Sequence, residues 1–83
     1  MNKEKLKSEI LNAVEEYVAK PEVWEEAQLT IDPSGAVDIV EIEEADDLPV
    51  NIDVYAMMDL VEMTPDGRWI PDIDTIEEIV KEK

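Results

Sequence analysis

The chain has 83 residues, 45% of them hydrophobic and 36% charged, with a net charge of −16 and neither cysteine nor histidine. That length fits one domain, here residues 1–83, with a modest core. The missing residue types exclude disulfides, thiolate or imidazole metal ligation and the usual nucleophile–base pairs.

In chain order, Asn2 is placed to cap a first helix. Leu6, Ile10, Val14 and Tyr17, with Ala13 beside them, recur at spacings of three and four and form one apolar stripe. Leu11 and Val18 widen it, and Lys20-Pro21 ends the helix because a residue before proline leaves the α region. The same N-terminal residues alternate in charge and lack the apolar run of a signal peptide. No apolar run reaches the ~18 residues of a membrane span, and with no cysteine the expected location is cytoplasmic.

After a linking segment at 21–26, Ala27, Leu29 and Ile31 alternate with Gln28 and Thr30, the period of a half-buried strand. Asp32-Pro33-Ser34-Gly35 reads as a turn, with proline setting φ and glycine taking the positive-φ position. The return strand, predicted over 36–43, starts with Val37 and Ile39 on one face and changes phase to Val40 and Ile42. That slip predicts a bulge or a twist. Glu43 to Asp47 reads as a solvated loop. Residues 50–63 fit two readings. Val54, Met57, Met58 and Val61 suit a short helix over about 53–60, capped by Asn51 or Asp53, which is the reading preferred here; Val50, Ile52 and Val54 suit a strand.

A second hairpin is predicted over 60–71, about the turn Thr64-Pro65-Asp66-Gly67, which repeats the chemistry of the first turn. The last helix carries Ile73, Ile76, Ile79 and Val80 on its apolar stripe, with Asp74 as the expected N-cap. The fold class is therefore α+β: a small antiparallel sheet from two β-hairpins packed against N- and C-terminal helices, in the order α-β-β-(short α)-β-β-α.

Few groups could carry chemistry. Ser8 and Ser34 have no basic partner, and two glycines leave no phosphate-binding loop. No catalytic residue and no cofactor are assigned, and the expectation is a protein that is not an enzyme. Asp72-Ile73-Asp74 opens like a calcium loop, but Ile76, Glu77 and Lys83 then stand where that loop needs an oxygen ligand, glycine and glutamate. No metal ligands are assigned.

What remains is the distribution of charge. Residues 21–67 hold fourteen acids and no lysine or arginine, while residues 1–20 hold four acids and four lysines. Such a field repels nucleic acid and anionic membrane and suits a basic protein partner. Glu41 and Glu43, two apart on the predicted strand, would share a face roughly 6.7 Å apart. Glu22, Glu25, Glu26, Glu44, Asp46 and Asp47 would extend that surface. The expected function is an acidic protein-interaction module, an adaptor or inhibitor, with a nucleic-acid mimic as its sharpest form. The competing expectations are a divalent-cation binder, a structural or oligomeric domain without a ligand, and acid that serves solubility alone. Met57, Met58, Met63, Trp24 and Trp69 are assigned to core packing in preference to an interaction patch, with Trp24 the more exposed tryptophan.

Overall fold

A computed structural model describes residues 2–83. Asn2 caps the first helix, α1 (Lys3–Tyr17), its side-chain oxygen accepting from the N–H groups of Glu4 and Lys5 at 3.0 and 3.2 Å. Leu6, Ile10 and Val14 on its apolar stripe are buried. At the other end the Tyr17 carbonyl, one of the orphan acceptors of a helix C-terminus, accepts from Lys20 N–H at 2.9 Å and from the Trp24 indole Nε1 at 2.6 Å. A 3-10 turn at Pro21–Val23 carries the chain into the sheet.

Strands β1 (Ala27–Ile31) and β2 (Val37–Glu41) pair in register from Ala27–Glu41 to Ile31–Val37 without interruption. A helical turn, α2 (Ile42–Ala45), follows directly. Strand β3 (Asp53–Ala56) then pairs with the far side of β1, giving a three-stranded antiparallel sheet in the order β2-β1-β3. A 3-10 turn at Met57–Leu60 leads to β4 (Val61–Met63), which pairs with β5 (Trp69–Pro71) as a separate two-stranded sheet. Helix α3 (Ile73–Glu82) completes the α+β architecture, with helices at the two ends flanking the antiparallel strands.

The core lies between the helices and one face of the three-stranded sheet. Leu29 and Ile31 of β1 meet Leu6, Ile10 and Val14 of α1 and Ile76, Ile79 and Val80 of α3, with Met57 and Leu60 filling the space between. Gln28, Thr30, Asp38, Val40, Val54 and Ala56 occupy the opposite face by strand alternation. The terminal helices are tied by an ion pair between Lys7 and Glu77 at 2.8 Å and by Lys3 Nζ donating to the Lys81 carbonyl at 3.2 Å. Lys83 pairs with Asp53 of β3.

Both hairpins turn by the same device. Gly35 and Gly67 have φ of 91° and 86°, and each donates its N–H to the carbonyl three residues back at 2.9 Å. Asp32 Oδ1 accepts from Ser34 N–H, Ser34 Oγ and Ala36 N–H at 2.9, 2.6 and 2.9 Å. The Ser34 hydroxyl, helped by these amides, holds the Asp32 carboxyl below the usual aspartate range. In the second turn the Thr64 hydroxyl donates to Asp66 and lowers its pKa likewise, while Arg68 Nε lies 2.9 Å from Asp66 Oδ2.

Five expectations are corrected. The return strand stops at Glu41 instead of running to 43, and its phase change comes from the chain leaving the sheet into α2 and not from a bulge. Residues 43–45 are therefore helical and not loop. The helix over 53–60 is replaced by strand β3 and a 3-10 turn, because the free side of β1 accepts a partner strand there. The cap of α3 is Asp72, whose carboxylate accepts from Thr75 N–H at 3.2 Å, and not Asp74; Ile73 is 41% exposed in the first turn. Finally, Trp24 is buried at 6% exposure and Trp69 is the open one at 37%.

Candidate functional site

The candidate site is a groove where the C-terminal end of α1 passes beside β2. Ile42 N–H donates to the Glu26 carbonyl at 2.7 Å. That bond adds one more pair to the β1–β2 ladder and sets Glu26 next to the start of α2. Tyr17, Val23, Ala27 and Ile39 contribute apolar surface to a concavity of about 440 Å³. Three acids line it as well: Glu26 from the turn before β1, Glu41 from the end of β2 and Glu44 from α2. Lys20 contributes its one cation, an ammonium 5.5 Å from the centroid of the Tyr17 ring.

Three of the eight acids singled out in the sequence thus line one groove, while Glu22, Glu25, Glu43, Asp46 and Asp47 do not. Glu22 lies in the 3-10 turn, Glu25 follows it, Glu43 is in α2, and Asp46 and Asp47 come after it; all five are exposed. Glu41 and Glu43 do not share a strand face, because only Glu41 belongs to the strand. Glu41 stands opposite Ala27, on the core-side face of the sheet, and so points toward the groove. The apolar half of the groove was missed in the sequence. Tyr17 and Lys20, three apart at a helix end, were its one local signal.

Three observations bear on other chemistry. Among the described residues no group of three or more acids converges as a metal-ion site. Asp72, the first residue of the calcium-like motif, uses its carboxylate as a helix cap. Tyr55, opposite Leu29 on β3, has its pKa raised by burial and by the Glu82 charge. Its partly buried ring packs against the core.

A second surface feature is apolar. Met63 and Trp69 face each other across the β4–β5 pair and are 54% and 37% exposed. Trp69 meets Trp24 edge-to-face, with centroids 4.7 Å apart and rings at 90°. Met57 is buried and Met58 is exposed, so the core assignment of the methionines holds for Met57 alone.

No helix among the described residues is long and apolar enough to cross a membrane. In comparisons with known proteins the chain matches no family model, no curated protein and no solved structure.

Proposed function

We propose that this domain is a protein-interaction module whose α1–β2 groove takes a basic partner, acting by occupancy and not by catalysis. The observation that carries the reading is that Glu26, Glu41 and Glu44 line one groove together with Tyr17, Val23 and Ile39. They belong to a stretch, residues 21–67, with fourteen acids and no lysine or arginine. Carboxylates beside apolar side chains suit an arginine or lysine side chain, whose stem packs while its head stays wet. The surrounding negative field speeds the approach of such a partner and turns away phosphate backbones. An inhibitor that occupies a nucleic-acid-binding groove is one form of this role, and a cytoplasmic setting agrees with a cysteine-free chain.

Titration calorimetry with poly-L-lysine tests the reading against charge that serves solubility alone. The triple variant Glu26→Gln, Glu41→Gln, Glu44→Gln removes three charges at the groove. Glu4→Gln, Glu15→Gln, Glu16→Gln removes three exposed charges from α1. The groove variant is expected to bind several-fold more weakly than the α1 variant at low salt, with the gap closing as salt shortens the Debye length to about 8 Å. Equal losses in the two variants would show a diffuse field with no groove, and the reading would be abandoned.

A further inference from the structure

The β2 strand offers more than charge. It is an outer strand of its sheet, hydrogen-bonded to β1 on one side only. The pairing pattern says which of its backbone groups are free. Asp32 N–H donates to the Ala36 carbonyl at 3.1 Å, and Ile42 N–H donates to the Glu26 carbonyl at 2.7 Å. These two bonds bracket the strand pair and make the even-numbered residues of β2 the ones that exchange bonds with β1. The N–H and C=O groups of Val37 and Ile39 therefore point away from the sheet, along its open edge. One of them is already in use: Ile39 N–H donates to Asp38 Oδ1 at 2.8 Å, a carboxylate standing where a strand carbonyl would stand.

Resting on the proposed role of the groove, we infer that the partner binds as an extended, lysine- or arginine-bearing segment that adds a strand to the β2 edge. Its backbone pairs with Val37 and Ile39, and its alternate side chains enter the groove. An incoming carbonyl replaces the Asp38 carboxylate on Ile39 N–H, and the freed carboxylate then faces a cationic strand. Side chains on the groove side of the new strand run over Ile39 toward Glu41 and Glu44. Those on the other side lie beside Asp38. The charge that attracts such a segment also decides against the obvious rival occupant. A second copy of this chain, paired antiparallel through Val37 and Ile39, would bring Asp38 against its own copy, and carboxylates on an edge strand guard against self-pairing.

The probe is a short peptide alternating lysine and valine, made in two N-methylated forms. One is methylated at the lysines, the other at the valines. In a strand the two sets of N–H groups point to opposite sides, so only one form loses the donors that face β2. Binding of the unmethylated peptide with slowed amide exchange at Val37 and Ile39 is expected, with about a tenfold affinity difference between the two methylated forms. Equal affinity of the two forms, or binding without protection at Val37 and Ile39, overturns the strand pairing; salt-sensitive binding then still leaves the acidic groove standing. Failure of both the peptide and poly-L-lysine at low salt removes the groove reading as well. A dimer in sedimentation that protects the same two amides would give the edge to a second copy and overturn the inference.

Discussion

Trp24 does two jobs with one side chain. Its indole N–H closes the C-terminus of α1 on the Tyr17 carbonyl, and its ring supports Trp69 edge-on. The Tyr17 carbonyl also accepts from Lys20 N–H, so losing the indole bond leaves no orphan acceptor. Trp24→Phe is therefore expected to cost about 1 kcal/mol, at the modest end for a hydrogen bond. Trp24→Ala, which empties a buried site, is expected to cost about 3–5 kcal/mol. Urea denaturation reads both values, with Trp69→Phe as the control at a half-open position. A Trp24→Phe loss no larger than that of the control would show that the indole bond contributes nothing.

At the scale of elements, the two hairpins depend on turns whose acids are held ionised. Asp32 and Asp66 have folded pKa values below the ordinary 3.8, set chiefly by the Ser34 and Thr64 hydroxyls. A group depressed in the folded state contributes stability that is complete above its unfolded pKa. That contribution is lost as pH falls through the folded value. The stability advantage of the parent over Asp32→Asn is thus expected to be full at pH 6 and to shrink once pH drops below the ordinary aspartate range. Thermal melts across acid pH measure it; an advantage constant down to strong acid would contradict the assignment. The same turns show what was legible beforehand. Proline and glycine at fixed offsets are local signals, so both hairpins and both terminal helices could be read from the sequence. Strand β3 could not, because Val54, Met57, Met58 and Val61 fit a helical period as well as Val50, Ile52 and Val54 fit a strand, and only the vacancy beside β1 decides between them. The groove was legible in its acids and illegible in its apolar lining. Its shape comes from α1 crossing β2, a contact between residues distant in the chain.

For the molecule as a whole, a net charge of −16 on 83 residues sets self-repulsion against a small core. Among the described residues three ion pairs tie Lys7, Arg68 and Lys83 to Glu77, Asp66 and Asp53, and two of these three cations lie in the terminal helices or the residue after them. The other twelve acids of residues 21–67 are in none of these pairs and are left to one another and to solvent counterions. Sodium chloride is therefore expected to stabilise the fold by screening, without the surface-exclusion effect of sulfate. If screening returns about 1 kcal/mol, the melting temperature rises by about 4–8 °C for a domain of this size. A melting temperature indifferent to sodium chloride would mean that the acids are too dispersed to act on one another.

The far-side docking of β3 gives that salt effect a place in time. The connection from β2 to β3 passes over β1 through residues 42–52, and Glu43, Glu44, Asp46 and Asp47 all ride on it. Closing this loop precedes the reward of the β1–β3 bonds, so its like charges are compressed on the way to the transition state. Ionic strength should thus act on the refolding limb of a chevron more than on the unfolding limb. The acidity of the chain then becomes a regulator of how fast the sheet is completed.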